Sequence, residues 1–254
     1  MANEFAGRTA LVTGASRGIG AAAAVARARA GCAKVLIHYG SSREGAEKTA
    51  AAVRALGAEA AVLGGDLGTE AGIQAFVAEL GAQAKGVDIL VNNAGSLVER
   101  AKLAEMSYSL YNRVMDLNVK SVWFLTQAVT PGMAERGWGR VVNLSSIAAR
   151  NGGGPGATVY AAAKAAVAAM TKGMAKELAP RGVRVNAVSP GTVDNDFHAR
   201  FSTREILEGV VKMTPQGRLS TNEDMAEVIV FLCSEAGRNV VGQTIEVNGG
   251  AFMV

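Results

Sequence analysis

The stretch Thr9-Ala10-Leu11-Val12-Thr13-Gly14-Ala15-Ser16-Arg17-Gly18-Ile19-Gly20 decides the fold. A short apolar and β-branched run reads as a buried strand, and it passes straight into a glycine-rich turn and then an alanine-rich helix. Glycines at that junction permit a tight turn, let backbone approach a phosphate and let the helix pack closely on the strand. The opening turn of the helix offers unpaired N–H groups and a positive dipole end to a pyrophosphate. Gly14, Ser16, Arg17, Gly18, Ile19 and Gly20 are therefore candidate dinucleotide-binding residues.

The same alternation runs outward from this unit. Apolar runs predict strands over 9–13, 35–39, 60–63, 89–92, 140–145, 183–188 and 244–247. Helix-like segments predict helices over 19–30, 43–56, 70–83, 107–136, 159–179 and 222–233. Most strand runs lack polar alternation, as expected of parallel strands covered on both faces. Repetition of the βαβ unit predicts an α/β fold: a single domain over 1–254, with a doubly wound, seven-stranded parallel sheet flanked by helices. The segment 192–219 breaks the pattern. It holds Phe197, His198, Phe201 and Met213 in a polar, poorly periodic context, and a long connection after a strand end is a candidate substrate lid.

Composition narrows the function classes. Of 254 residues, 49% are hydrophobic and 19% charged, which allows a full core and argues against disorder. Lys and Arg number 26 against 22 Asp and Glu, a net charge of +4, yet the cations are scattered from Arg8 to Arg238. Without a basic run or interleaved aromatics, a nucleic-acid partner is not expected. Cys32 and Cys233 stand far apart in apolar surroundings and read as buried free thiols in a reducing compartment. The start of the chain lacks a basic segment followed by an apolar one, and no uncharged apolar run reaches membrane-spanning length, so the chain reads as cytoplasmic. His38 and His198 are the only histidines and no carboxylate or cysteine cluster has ligand spacing, so no metal is expected. Both read as ordinary loop or strand-end residues, with His198 a lesser candidate for touching substrate from the lid.

The end of the second predicted strand selects the dinucleotide. An acidic residue there would hold the adenosine 2′-hydroxyl and repel a 2′-phosphate. Here Tyr39 takes that place, followed by Gly40, Ser41, Ser42 and Arg43. The two serines and Arg43 can donate to a phosphate, and Arg17 adds a second cation, so NADP(H) is expected over NAD(H). Further along, Tyr160 and Lys164 stand four apart at the start of an alanine-rich helix and so share a face. A nearby ammonium favours phenolate, which makes Tyr160 a candidate acid/base.

Together these residues resemble the short-chain dehydrogenase/reductase family over essentially the whole chain. Thr13 to Gly20 matches its T-G-x-x-x-G-x-G, Asn92-Asn93-Ala94-Gly95 its N-N-A-G, and Tyr160 with Lys164 its Y-x-x-x-K. Asp66-Leu67 resembles the pair that meets the adenine ring, and Asn118 sits where the family keeps a catalytic asparagine. Pro190-Gly191, with Thr192 and Val193 behind it, resembles the segment beside the nicotinamide, and Val247-Asn248-Gly249-Gly250 resembles the C-terminal signature. The resemblance implies a Rossmann-type domain and a catalytic set of Asn118, Ser146, Tyr160 and Lys164. Ser146 lies fourteen residues before Tyr160 and Ser145 fifteen, so either serine could act, with Ser146 preferred. The implied cofactor site adds Tyr39, Ser41, Ser42, Arg43, Asp66, Leu67, Asn93, Ala94, Gly95, Tyr160, Lys164, Pro190, Gly191, Thr192 and Val193 to the glycine turn. One position departs from the pattern: Asn195 stands where the family often has a threonine that bonds the nicotinamide amide.

The implied activity is NADP(H)-dependent interconversion of a ketone, 3-oxoacyl or other, with a secondary alcohol. The alternative is a non-catalytic NADP(H)-sensing or partner-binding protein on the same fold, against which the intact Tyr160 and Lys164 argue. Arg150, Arg200 and Arg204 are candidates for docking an acidic acyl carrier protein. A homotetramer, or dimer, is implied, formed through the two long helices and the C-terminal strand. Ala161, Ala165, Ala168 and Ala169 would allow close helix approach, and the end Ala251-Phe252-Met253-Val254 is too apolar for a free tail.

Overall fold

The computed structural model describes residues 3–253; Met1, Ala2 and Val254 lie outside the described residues. The elements in chain order are β1 (Thr9–Val12), α1 (Gly18–Arg29), β2 (Lys34–Tyr39), α2 (Arg43–Ala55), β3 (Glu59–Gly64), α3 (Glu70–Gly86) and β4 (Ile89–Asn92). There follow α4 (Tyr108–Met115), α5 (Ser121–Glu135), β5 (Gly139–Leu144), α6 (Ala148–Asn151), α7 (Thr158–Leu178) and β6 (Val183–Pro190). Last come α8 (Asp196–Phe201), α9 (Arg204–Met213), α10 (Asn222–Cys233) and β7 (Thr244–Val247). All seven strands join one parallel sheet in the order β3-β2-β1-β4-β5-β6-β7. The order reverses between β1 and β4, and in such sheets ligands bind in the crevice beyond the strand ends at that point.

The unbroken apolar runs have a direct cause. Successive strand residues point to opposite faces. Ala10, Val12, Val35, Ile37, Ile89 and Val91 enter one buried cluster, with residues of α1 and α10. Leu11, Leu36, Leu90, Val141, Val183 and Val185 enter the other, with residues of α3, α5 and α7. Both faces are covered, so the strands are mostly apolar, and buried strand polars such as Asn92 and Asn143 are hydrogen-bonded to each other.

Three sequence expectations change. The helix expected over 107–136 is interrupted by a π-helical turn, Asp116–Lys120, between α4 and α5. Asn118 causes this locally: its Nδ2 donates to Val114 O at 2.8 Å, the carbonyl its own backbone amide would take in an α-helix. Strand β6 runs on through Pro190 rather than ending at 188. Proline lacks an N–H, but the Pro190 carbonyl is used, accepting from Ile147 N at 2.9 Å. The segment 192–219 folds into α8 and α9, capped by the side chains of Asn195 and Thr203. Among the described residues, no helix is long and apolar enough to cross a membrane. Cys32 and Cys233 are buried and free, as read, and burial pushes the Cys32 thiol up to about 12.

Candidate active site

The glycine turn leaves β1 with Gly14 at φ +62 and Gly18 at φ +59, a region that favours glycine. Asn93, at the end of β4, holds this turn: its Nδ2 donates to Thr13 O at 2.8 Å and Gly14 O at 3.1 Å. Thr13 Oγ1 answers by accepting from Asn93 N at 3.0 Å and Ala94 N at 2.9 Å. The N-N-A-G segment is thus locked to the turn across the sheet reversal. Asn92 faces into the sheet instead, donating to Thr126 Oγ1 and Asn143 Oδ1.

The start of α2 lies against the same turn, since a Cβ on Gly45 would come within 2.5 Å of Ser16 O. Ser42 caps α2, its Oγ accepting from Gly45 N at 3.2 Å, so its O–H stays available as a donor. Arg43 is 76% exposed on its side chain, with Glu47 at 3.9 Å, and Arg17 is 61% exposed, with Asp196 of α8 at 3.6 Å. Both cations stand at a solvent-facing rim, where such pairs are weak and yield readily to a phosphate.

Asp66 and Leu67, the two expected adenine contacts, follow β3. Leu67 is buried in the core beside α3. Asp66 accepts from Gly68 N at 2.9 Å and pairs with Arg113 of α4 at 3.2 Å, so its carboxylate already has two partners.

At the other end of the crevice, Tyr160 and Lys164 lie in the first turns of α7. Ser145, on the exit of β5, is buried and donates to Lys164 O at 2.9 Å, a structural bond. Ser146 is partly exposed, accepts from Ala148 N at 3.1 Å and faces the Tyr160 phenol. Geometry therefore separates the two serines.

Asn118 is fully buried in the π-helical turn, and besides Val114 it donates to Ser96 O at 2.8 Å and accepts from Ser96 N at 3.2 Å. Gly95 brings the parts together: a Cβ there would lie 2.7 Å from Asn118 Oδ1 and 2.9 Å from Lys164 Nζ. Only glycine leaves those two groups their positions beside the strand end.

The electrostatics of the pair differ from the sequence expectation. Lys164 Nζ donates to Leu144 O at 2.7 Å and lies 5.7 Å from the Tyr160 ring centroid. Burial pushes the Tyr160 phenol up to about 12, with the facing Ser146 pulling it back, and burial draws Lys164 down to about 8. Desolvation of both groups outweighs their mutual effect, because the ammonium is directed to a backbone carbonyl. Tyr160 is accordingly a neutral phenol at neutral pH, poised as a donor.

Pro190 and Gly191 close the crevice from β6, with Gly191 N donating to Val247 O at 3.0 Å. Val193 is buried and Thr192 O accepts from Ser220 N at 3.1 Å. Asn195 caps α8, its Oδ1 accepting from Phe197 N at 3.1 Å, and its Nδ2 donates to Asn222 Oδ1 at 3.1 Å, close enough to the glycine turn that a Cβ on Gly18 would lie 3.7 Å from it. Helix α8 seats Phe197 with its ring 6.0 Å from Tyr160 and 5.1 Å from Phe201. Arg100 latches it, donating to Phe201 O at 3.0 Å and to Pro155 O at 2.8 Å. Sequence reasoning missed Arg100, whose partners are 55 and 101 residues away. His198 is half-buried and bonds Ser202 Oγ at 3.2 Å.

Arg150 pairs with Glu246 at 2.8 Å and Arg204 with Glu208 at 3.1 Å, while Arg200 has no carboxylate partner among the described residues. Ala161 is buried within the chain's own fold, whereas Ala165 and Ala169 are exposed. Among the described residues, no group of three or more His, Cys, Asp or Glu is placed to hold a metal ion.

Comparison with known proteins bears on this arrangement. A family model described as enoyl-(acyl carrier protein) reductase matches residues 14–251. The chain is 37% identical over 246 residues to 3-oxoacyl-[acyl-carrier-protein] reductase of Staphylococcus aureus, covering 97% of this chain and 98% of that protein. It is 38% identical over 249 residues to the Pseudomonas aeruginosa enzyme of the same name, with coverage of 97% and 98%. Among solved structures, a gluconate 5-dehydrogenase from Burkholderia cenocepacia in complex with NADP and tartrate superposes with a TM-score of 0.87 at 33% identity, covering 98% of this chain and 97% of that one. A 7α-hydroxysteroid dehydrogenase complexed with NADH and 7-oxo glycochenodeoxycholic acid gives a TM-score of 0.89 at 33% identity, with coverage of 98% and 97%.

Proposed function

The chain belongs to the short-chain dehydrogenase/reductase family, and from that membership we propose that it interconverts a ketone and a secondary alcohol using NADP(H), with Tyr160 as general acid and base. The observation that carries this reading is the convergence of Asn118, Ser146, Tyr160 and Lys164 on the end of the crevice beside Gly95. A non-catalytic nucleotide sensor would have no use for that set.

The residues fit a bound dinucleotide. A glycine turn at positive φ opens a helix, Gly45 at the start of α2 lies against Ser16 and the Ser42 hydroxyl, and Gly95 leaves bare backbone next to Lys164. Gly14, Ser16, Gly18, Ile19 and Gly20 would hold the pyrophosphate, and Arg17, Tyr39, Ser41, Ser42 and Arg43 the adenosine end with its 2′-phosphate. Asn93, Ala94, Gly95, Tyr160, Lys164 and the Pro190–Val193 segment would hold the nicotinamide half, with Asp66 and Leu67 beside the adenine. When bound, the reduced nucleotide supplies the hydride. Tyr160 gives its proton to the substrate oxygen in reduction and takes it back in oxidation. Ser146 donates a hydrogen bond to the same oxygen, favouring the charge that develops there. Lys164 positions the ribose and, through Asn118, connects the phenol to a path for proton resupply.

The aromatic wall of Phe197 and Phe201 beside Tyr160 favours a small to medium, partly apolar ketone. A homotetramer or dimer belongs to the same reading. Half-exposed Trp123 and Phe124 on α5 and Phe231 on α10, with exposed Met253, give apolar surface to cover.

A panel of ketones and alcohols assayed with NADPH and NADH in parallel tests the cofactor reading. NADPH is expected to give kcat/KM at least about tenfold higher, and Arg43→Ala to erase most of that margin. Higher kcat/KM with NADH would overturn it.

A further inference from the structure

His38 is spent on something more specific than ending a strand. It is only 2% exposed, and its ring nitrogens bond two different loops. Nδ1 lies 3.1 Å from Gly14 N, and Nε2 lies 3.0 Å from Gly65 O. The Gly14 amide can only donate and the Gly65 carbonyl can only accept. The tautomer is therefore fixed: Nδ1 carries the lone pair and Nε2 the proton. The His38 backbone adds a third bond, its carbonyl accepting from Ala15 N at 2.8 Å. Phe76 of α3 stands edge-on to the imidazole at 4.5 Å and fixes the ring plane. Burial draws the imidazole down to about 4, which keeps it neutral in neutral solution.

Two consecutive amides of the glycine turn are thus received by one residue, and the loop that leads to Asp66 and Leu67 is held by the other side of the same ring. We propose that His38 is a positioning residue of the dinucleotide pocket, a neutral imidazole spacer that sets the separation of the phosphate-binding turn and the adenine-side loop. This rests on the reading of the crevice as an NADP(H) site. A merely structural histidine would need to fill volume; this one must accept on one nitrogen and donate on the other.

That requirement is testable by two variants that each keep one half. In His38→Asn the amide oxygen can occupy the Nδ1 position and accept from Gly14. In His38→Gln the amide nitrogen can reach the Nε2 position and donate to Gly65, while nothing accepts from Gly14. Titration of the full chain with NADPH is expected to give a Kd about tenfold weaker than the parent for both His38→Asn and His38→Gln, because each leaves one buried partner of the ring unpaired and the two loops no longer bridged. At saturating NADPH, kcat is expected to fall less than about twofold in both, because no reacting atom is touched. A long-range proton–nitrogen spectrum of the unliganded parent should show the Nε2–H tautomer. A Kd within about threefold of the parent for either variant, or the Nδ1–H tautomer, would overturn the proposal. Failure of the parent itself to bind NADPH or NADH would instead refute the reading of the crevice, whatever the tautomer.

Discussion

Replacing Tyr160 with phenylalanine is expected to lower kcat by about a thousandfold, within the range general acid–base groups supply, while the Kd for NADPH changes less than about threefold. The phenyl ring keeps the packing against Phe197, so the loss isolates the hydroxyl. The pH dependence follows from half-buried Tyr160 and buried Lys164. The phenol, pushed up to about 12, retains its proton for reduction through neutrality. Lys164, drawn down to about 8, loses its charge above that pH. Reduction is therefore expected to be flat through neutrality and to fall above about pH 8, as the ammonium that would hold the nucleotide ribose loses its charge. Full activity in the phenylalanine variant, measured by stopped-flow nucleotide absorbance, would remove Tyr160 from the mechanism.

The second large effect is expected at Gly20. A Cβ there would lie 2.4 Å from Gly14 O and 2.5 Å from Asn93 Nδ2. Neither can retreat cheaply, because Gly14 O and Thr13 O both accept from that same amide nitrogen. Gly20→Ala must either push α1 off the strand end or break the Asn93 clamp. The expected outcome is a loss of about 1–3 kcal/mol in stability, the usual cost of overpacking. NADPH binding should weaken by at least about a hundredfold, since the cradle's backbone geometry is what the phosphate reads. Denaturant melts and nucleotide titration on the same sample check both, and wild-type affinity in a stably folded variant would contradict the cradle.

Much of this was legible in the chain because the signals are local. The alternation of Ala10, Leu11 and Val12 between two covered faces writes itself as an apolar run, and the glycine turn follows it directly. What was not legible depends on which loops meet. Asn118 reads as a poor helix former, but the π-helical turn it induces requires Ser96 to arrive from β4 and fix its amide. The Tyr160–Lys164 pair reads as a phenol beside an ammonium, and sequence cannot say that Leu144 O captures the ammonium or that desolvation dominates both groups. Asn195 reads as a weakened nicotinamide contact, yet it serves as the cap of α8 because Asn222 lies across from it. His38 looked unremarkable for the same reason: Gly14 and Gly65 reach it only once β1, β2 and β3 lie side by side.

Transfer of deuterium from C4-labelled NADPH to a ketone, read by mass spectrometry of the alcohol, tests the central claim most directly. One deuterium on the carbinol carbon, formed by the parent protein and almost absent with Tyr160→Phe, is the predicted result. Tight binding of the nucleotide with no label transferred to any ketone, in either protein, would contradict it.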